Sequence, residues 1–314
     1  MGLRRSKTLK RVTVEAVSSI ANLGCMFDLV GMAIPVFRDR VTISEKSREG
    51  LKIRVNRPGI PEGKLNVAYP VIESFRKLIE YNDMKVEVYI DKGVPSGVGL
   101  GSSGATAAAT AVALNELFGT GLSIGDLIAL AGEGERAVAG EAHYDNVSAS
   151  ILGGIVIVNP KNPREFFRTE PRSLEVVLFL SKGRGVTKTR SMRQVLPRGI
   201  DLSSTVYWNW TVSKFTRALI ENDLKSLGEA ISEGGIVEEV RAKYIKRYWE
   251  IKRAALESGA LGFNISGAGP SMFAICKPGQ GYRILLGIKR RINIEEYLEL
   301  LVTSVDLHGA RVLS

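Results

Sequence analysis

The sequence predicts an α+β fold in two domains. Residues 12–16, 51–55 and 86–90 alternate apolar and polar side chains, as half-buried strands do. The helix-forming stretches that accompany them do not follow the regular strand–helix alternation of a parallel α/β sheet. A polar segment with three prolines, residues 159–173, then separates the two halves of the chain. We therefore expect domains at residues 1–165 and 166–314.

The remaining helices and strands are predicted from the spacing of apolar residues and from the residues that start or end a helix. We expect helices at 67–78 and 105–118, the second closed by Gly119, and a third opened by the capping box "SIGD" at 123–126. The run "GGIVIV" predicts a buried strand. Beyond the boundary we expect a strand at 176–180, then helices at 204–222, 223–233 and 238–258, and a glycine turn between two short strands within 262–276.

Composition narrows the class of protein. The 314 residues are 45% hydrophobic and 24% charged, with no low-complexity tract and no apolar run of membrane-spanning length. The start "MGLRRSKTLKR" lacks the apolar stretch of a signal peptide. The only cysteines, Cys25 and Cys276, and the only histidines, His143 and His308, form no metal-ligand pattern. We expect a reduced, cytoplasmic setting and no membrane partner.

The net charge of +10 raises the question of nucleic acid. The basic residues are spread along the chain, and neither zinc-finger spacing nor an aromatic RNA-recognition signature is present. We expect no nucleic-acid partner and interpret the one basic cluster as a solvated arm: Arg4, Arg5, Lys7, Lys10 and Arg11. A general positive field would also attract anionic substrates.

A glycine loop, "PSGVGLGSSGATAAA" at residues 95–109, stands between the strand at 86–90 and an alanine-rich helix. Glycines before a helix N-terminus let backbone N–H groups reach a phosphate, and the helix dipole adds attraction. A tight turn whose glycines serve packing alone is the alternative, and the residues of the loop leave both open.

Several known phosphate motifs do not fit this loop. Gly99, Gly101 and Gly104 spell GxGxxG, but a dinucleotide fold needs a second parallel strand about twenty residues on, and 105–139 are predicted to be two helices. A Walker A loop needs a lysine after the last glycine, which is absent. The HRD and DFG triplets of protein kinases are absent as well.

The pattern that remains resembles the phosphate-binding motif of the GHMP kinase superfamily. Two further segments match in order: "SSIANLGCMFD" at 18–28 resembles the family's first motif, and "NISGAGPSMF" at 264–273 its third. The resemblance implies an N-terminal domain like ribosomal protein S5 domain 2, a ferredoxin-like C-terminal domain, and ATP as phosphoryl donor. The ATP-binding residues that it implies are Pro95, Ser96, Gly97, Val98, Gly99, Leu100, Gly101, Ser102, Ser103, Gly104, Ala105, Asn66 and Lys92, with a third glycine motif at Ser266, Gly267 and Gly269.

Within that superfamily the chain is similar to the homoserine kinases. In that group Asn22 and Asp28 would hold the ammonium of the amino acid, and glycine usually stands where this chain has Met26. "GEAHYDNVSASILGG" at 140–154 matches H-x-D-N-V, in which Asn146 would hydrogen-bond the substrate hydroxyl. Relatives of other specificity carry a catalytic aspartate, so the resemblance implies a kinase without that base. His143 receives no chemical role.

Carboxylate and metal ligands are implied in the same way. "TRSMRQVLP" has the T-x-x-x-R-x-x-L-P spacing of homoserine kinases, which makes Thr189 and Arg193 substrate-binding candidates, with Arg241 as a second guanidinium. Two guanidinium forks on one carboxylate give planar recognition that lysine cannot reproduce. Glu135 and Ser103 match the positions that hold Mg²⁺, a cation that prefers hard oxygen ligands.

The function that the resemblance implies is ATP-dependent phosphorylation of L-homoserine to O-phospho-L-homoserine, a step of threonine biosynthesis. Asn146, Glu135 and Ser103 would be the catalytic residues, and a homodimer is compatible with the resemblance. Two alternatives stay open: a GHMP kinase for another small alcohol or amino-acid metabolite, and a non-catalytic ligand-binding paralogue.

Overall fold

The computed structural model describes residues 10–46, 50–171, 174–182, 189–296 and 298–313. Its strands are, in chain order, β1 (Arg11–Ala21), β2 (Val30–Glu45), β3 (Lys52–Val55), β4 (Val86–Asp91), β5 (Ile155–Val158), β6 (Phe166–Thr169), β7 (Glu175–Ser181), β8 (Gly262–Ile265), β9 (Met272–Cys276), β10 (Leu298–Ser304) and β11 (Arg311–Leu313). Its helices are α1 (Ala68–Leu78), α2 (Ser102–Phe118), α3 (Ile124–Ala139), α4 (Tyr144–Leu152), α5 (Thr189–Gln194), α6 (Leu202–Glu221), α7 (Leu224–Ser232), α8 (Gly235–Ala242), α9 (Tyr248–Glu257) and α10 (Gly281–Arg291).

The first sheet has the strand order β11-β1-β2-β4-β3, and β5 and β6 extend it from β2. Helix α2 packs between this sheet and α3, and its alanines are buried on nearly every side. Small side chains all round a helix allow close approach to both neighbours, so α2 becomes the central helix of the first domain. Its N-terminus, which follows the glycine loop, is thereby fixed in position.

The second sheet has the order β10-β7-β9-β8 and is antiparallel throughout. Helices follow β7, and α10 connects β9 to β10, so the chain runs strand, helices, strand, strand, helix, strand. This is the split βαβ arrangement of ferredoxin-like domains. The two-domain α+β architecture that the resemblance implied is therefore confirmed.

The expected domain boundary at 165/166 does not separate the strands of the first sheet from those of the second. Strand β6 lies in the proline-bearing segment and pairs with β5, with Val156 opposite Arg168. At the other end, β11 returns to the first sheet and pairs with β1. The boundary at 165/166 therefore cuts through a paired hairpin, and residues 311–313 belong to the first sheet.

Most predicted elements are present, but the structure also contains elements that were not predicted: α4, α5, α10, β6, β10 and β11. The 16-residue strand β2 was not predicted, although it pairs with β1, β4 and β5. The helix predicted at 238–258 is two helices, α8 and α9, separated by a turn in which Arg247 has a left-handed backbone (φ 58°). Among the described residues, no helix is both long and apolar enough to cross a membrane.

Candidate active site

The glycine loop ends in Gly101, whose left-handed backbone (φ 63°) directs the chain into α2. The helix begins at Ser102, three residues earlier than predicted, and the Ser102 hydroxyl closes the loop by donating to the carbonyl of Val94 at 3.0 Å. The first N–H groups of a helix have no partner within it. Gly97, Gly99, Leu100, Gly101, Ser102 and Ser103 all line one cleft, so these donors are available to an anion there.

The third glycine motif docks directly on this loop. The Ser266 hydroxyl donates to the carbonyl of Gly99 at 2.6 Å, and the amide of Ser271 donates to the carbonyl of Val98 at 3.2 Å. A Cβ at Gly99 would collide with the backbone of Ser266 and would lie 2.9 Å from the Gly269 carbonyl oxygen. Glycine at 99 is therefore required by the contact between the two loops.

Lys92 and Asn66 are not among the residues that line this cleft. The Lys92 ammonium is buried beneath the loop, where it pairs with Asp39 and donates to the Ser102 carbonyl at 2.5 Å and to Thr106 Oγ1 at 2.9 Å. It holds the start of α2 in place. The position of the Lys92 ammonium does not support the predicted contact with ATP.

Asn66 is occupied at the start of α1. Its amide nitrogen donates to the Pro61 carbonyl at 2.7 Å, and its side-chain oxygen accepts from the Ala68 amide at 2.9 Å. These bonds satisfy an unpaired donor of the first helical turn, so the side chain acts as a local cap.

Two residues of the glycine loop, Val98 and Ala105, do not line the cleft either. Their side chains pack in the core between the domains.

Most of the remaining predicted site residues converge on the cleft, although Pro95, Ser96, Gly104 and Ser266 do not line it. Those that do come from elements far apart in the sequence, and the cleft holds about 690 Å³ of space not filled by protein atoms, open solvent included. The predicted residues that line it are Asn22, Asp28, Gly97, Gly99, Leu100, Gly101, Ser102, Ser103, Glu135, Asn146, Arg193, Arg241, Gly267 and Gly269. Thr189 opens α5, and its side chain lies outside the described part of the structure.

The first motif forms a short loop between β1 and β2. Asn22 and Asp28 both have left-handed backbones (φ 60° and 58°), and Asn22 Oδ1 accepts from the Asp28 amide at 3.0 Å. Asparagine and aspartate tolerate this conformation better than bulkier residues. Met26 is 1% exposed and packs in the core, so its departure from the family's usual glycine does not alter the lining of the cleft.

Asp28 and Arg193 pair directly with each other. Arg193 Nη1 donates to Asp28 Oδ1 at 3.1 Å, Nη2 pairs with Oδ2, and Glu141 also pairs with Nη2. The resemblance implied that these two side chains hold opposite ends of an amino acid. In this structure each charge is instead compensated by the other, as a bidentate ion pair.

Arg241 lies deeper in the cleft, 3% exposed, and Nη1 donates to the Gly267 carbonyl at 2.8 Å. Burial lowers the pKa of Arg241 to about 10. Its Nε is buried without a hydrogen-bond partner among the described residues. A buried cation with an unused donor is suited to binding an anionic group.

Asn146 is held by a chain of hydrogen bonds. Asp145 Oδ1 accepts from the Asn146 backbone amide at 2.7 Å and from Nδ2 at 3.1 Å. Because a carboxylate accepts from the NH₂ group, the amide oxygen must face the other way, where the Ser19 hydroxyl donates to it at 3.0 Å. Asp145 and Ser19, which the sequence did not single out, therefore orient the amide.

Glu135, on α3, is 4% exposed and lines the cleft. Oε2 contacts His143 Nδ1 at 3.3 Å, and Oε1 is buried without a hydrogen-bond partner among the described residues. Burial would lower the pKa of His143, but the hydrogen bond and charge of Glu135 raise it above its usual value. An unpaired buried carboxylate oxygen, with the Ser103 hydroxyl in the same cleft, fits a Mg²⁺ ligand set.

We expect Gly101→Ala to disturb the Ser19 and Asn146 side chains in the cleft as well as stability. A Cβ at Gly101 would collide with Ser19 Oγ and lie 2.7 Å from Asn146 Oδ1. Gly121→Ala is the matched control, since Gly121 has nearly the same backbone (φ 65°) with nothing within 4 Å of a new Cβ. Both variants bear left-handed strain of about 1–2 kcal/mol, so a loss of kcat confined to Gly101→Ala assigns the effect to the clash. Equal losses in kcat would contradict this.

Sequence reasoning missed four residues of the site: Ser19, Phe27, Asp145 and Ala268, and it left His143 without a role. All four lie inside motifs that were recognised, so membership of a motif was the available signal. The contacts of Ser19 and Phe27 run to residues on other elements, which a single sequence does not display.

Known proteins resemble this chain along most of its length. Residues 66–154 match the family model of the GHMP kinases N terminal domain, and residues 215–293 match that of the GHMP kinases C terminal. A homoserine kinase of Methanopyrus kandleri is 39% identical over 264 residues, 84% of this chain and 86% of the relative. One of Aeropyrum pernix is 36% identical over 279 residues, 87% and 89% of the two chains.

A crystal structure of homoserine kinase from Cytophaga hutchinsonii has the same fold. It superposes with a TM-score of 0.86 at 29% sequence identity, covering 99% of this chain and 100% of the other. The glycine loop, the third glycine motif and the cleft between them thus occur in a chain that matches this family in both sequence and fold. The protein belongs to the GHMP kinase family.

Proposed function

We propose that the protein transfers the γ-phosphoryl group of ATP to the side-chain hydroxyl of L-homoserine. The observation that carries this proposal is the charge arrangement of the cleft, in which Asp28, Arg193 and Arg241 lie next to the amide of Asn146 and the glycine loop. The named homoserine kinases, similar over most of the chain, support the same acceptor. The product would enter threonine biosynthesis.

The acceptor end of the cleft suits a zwitterion. The ammonium of homoserine would take Asp28 as its partner, and the carboxylate would take Arg193 and Arg241. Binding would then exchange the Asp28–Arg193 ion pair for two pairs with the substrate, leaving no charge uncompensated. An uncharged alcohol could not make this exchange, since it would break the pair without replacing either charge.

The donor end is the glycine loop with the start of α2. Backbone N–H groups there would hold the phosphates of ATP, and the helix dipole adds to their attraction. Glu135 and Ser103 would hold Mg²⁺, which when bound neutralises phosphate charge. Lys92 contributes indirectly, since its bond to the Ser102 carbonyl fixes where α2 begins.

Asn146 positions the acceptor hydroxyl. An amide neither takes nor gives a proton, so this residue contributes orientation. The hydroxyl oxygen forms the new bond to the γ-phosphorus, the bond from that phosphorus to ADP breaks, and one proton is released. Phosphoryl transfer depends mainly on positioning and on neutralisation of charge, so a site of this kind can act without a general base.

The pH dependence of turnover should report on Asp145. Its burial, together with the charge of Asp28, raises its pKa to about 6 from the ordinary 3.8. Protonation below about pH 6 would weaken the acceptor that holds the Asn146 amide. We expect kcat/KM for homoserine to fall as the pH is lowered through about 6, and Asp145→Asn to have a lower value without that step. An unchanged step in the variant would assign the titration to another group.

The same shift carries a stability consequence with a defined sign. Because the pKa of Asp145 is raised in the fold, its contribution to stability is present at low pH and is lost as the pH rises through about 6. The free energy of unfolding, measured in urea at pH values below and above 6, should therefore decline with rising pH in the wild type but not in Asp145→Asn.

An acceptor panel tests the proposed function. Purified protein with ATP and Mg²⁺ would be given homoserine, serine, threonine, mevalonate and shikimate, and ADP release would be measured. We expect release above background with homoserine, and kcat/KM well below it for the others. Release with mevalonate or shikimate instead would indicate a GHMP kinase of other specificity. ATP binding without release on any acceptor would indicate a non-catalytic paralogue.

A further inference from the structure

Phe27 lies beside both arginines of the proposed acceptor site. Its ring is in the first-motif loop and lines the cleft. The guanidinium carbon of Arg193 lies over this ring at 5.0 Å from the centroid, and that of Arg241 at 5.2 Å. One aromatic side chain thus contacts both of the arginines that would bind the substrate carboxylate, although they come from different helices.

The two cations differ in how they are compensated. Burial and the charge of Arg193 lower the pKa of Arg241, against the charges of Asp28 and Asp145, which raise it. Arg193 is compensated by Asp28 and Glu141. Among the described residues, the Arg241 guanidinium donates to an uncharged carbonyl, and its Nε has no hydrogen-bond partner. The ring of Phe27, whose centroid lies 5.2 Å from the guanidinium carbon, is a further contact that can hold Arg241 in place before a carboxylate arrives.

We propose that Phe27 is a positioning residue that holds Arg193 and Arg241 together through its π face, ready for one carboxylate. This inference rests on the proposed function, because it concerns recognition of the carboxylate of that substrate. The negative face of an aromatic ring attracts a guanidinium and takes up no hydrogen-bond donor. A carboxylate in the same place would hold the arginines more strongly but would occupy the donors that the substrate needs.

The chemical requirement is therefore an aromatic ring, which an apolar side chain of similar size does not meet. Phe27→Leu keeps an apolar group in the loop but removes the π face, and Phe27→Tyr keeps the face. We expect Phe27→Leu to raise KM for homoserine by about 3- to 30-fold, equivalent to about 0.7 to 2 kcal/mol, and Phe27→Tyr to change it by about twofold or less.

Two comparisons separate this role from packing. The first is the acceptor 3-aminopropan-1-ol, which is homoserine without its carboxylate. Phe27→Leu should leave kcat/KM for this compound nearly unchanged. A packing defect would instead lower kcat/KM by the same factor for this compound and for homoserine. The second is replacement of Phe27 by mono-, di- and trifluorophenylalanine, which weakens the π face stepwise at nearly constant shape. KM for homoserine should rise with each fluorine, and a flat series would overturn the inference.

A stability measurement tests the contact without any substrate. The unfolding equilibrium constant of the fluorinated series should rise stepwise in the wild-type background, by about 3- to 30-fold in total. In Arg241→Met the dependence should shrink, and Arg193→Met provides a second background if the first does not fold. If wild-type protein fails to phosphorylate homoserine, the proposed function falls while this series still tests the contact. A series with the same slope in all backgrounds would show that Phe27 acts by packing alone.

Discussion

Glu135→Gln is expected to lower kcat by about 100- to 1000-fold, because charge stabilisation by a bound metal is worth several kcal/mol and about 1.4 kcal/mol corresponds to tenfold. The amide is a poor Mg²⁺ ligand but is nearly isosteric with the carboxylate. Its oxygen can still accept from His143 Nδ1, which contacts Glu135 at 3.3 Å. Folding should therefore be preserved, as thermal unfolding can verify, and turnover should be measured across a Mg²⁺ titration.

Glu133→Gln is the matched control on the same helix. Glu133 lies two residues before Glu135, is 40% exposed in its side chain and pairs with Arg136 on the surface. This variant removes the same charge from α3 but should keep near-normal turnover. If Glu135→Gln also turns over normally at saturating Mg²⁺, the carboxylate is structural and its place in the metal site is wrong.

Arg193→Ala is expected to raise KM for homoserine by about ten- to a hundredfold, since a charged hydrogen bond to a desolvated carboxylate is worth about 1.5–3 kcal/mol. KM for butane-1,4-diol, which has no charge, should rise much less. Loss of the arginine also leaves Asp28 without the partner that it has in this structure. KM for ATP should change little, because in the proposed function Arg193 contacts the acceptor and not ATP.

Asp28→Asn tests the proposed pairing of Asp28 with the ammonium of homoserine. It should weaken ammonium recognition by a similar factor and reduce the preference for homoserine over butane-1,4-diol. Arg190→Ala is the control for loss of a positive charge, since Arg190 lies on α5 and is exposed. If neither Arg193→Ala nor Asp28→Asn changes the homoserine-to-diol ratio relative to this control, the amino-acid site lies elsewhere.

The parts of the molecule that sequence predicted well depend on local chemistry. A left-handed glycine closes α2 at Gly119, and Ser123 caps α3 through the Asp126 amide. The glycine loop was recognisable because backbone access to a phosphate restricts residue types over a short stretch. Strand β2 was missed because Pro35 and the charged run at 38–40 interrupt its alternation, while pairing with three other strands stabilises it.

The parts that sequence could not predict depend on distant contacts. The turn between α8 and α9 carries no glycine or proline, and buried Glu238 joins the two helices by pairing with Tyr248 and Lys252. Asp28 and Arg193, 165 positions apart, were each recognised, yet their direct pairing required the fold. Lys92 was assigned to ATP by its match to the family, and its burial against Asp39 and the start of α2 is a contact that the sequence did not predict.

The identity of the product decides whether this cleft transfers the γ-phosphoryl group of ATP to the hydroxyl of homoserine. Protein, Mg²⁺, homoserine and ATP labelled with ¹⁸O in the γ-phosphoryl group would be incubated, and the products analysed by mass spectrometry. We expect O-phosphohomoserine that carries the labelled phosphoryl oxygens, in an amount equal to the ADP formed. Labelled inorganic phosphate released at the same rate with and without homoserine, and no phosphorylated amino acid, would contradict it.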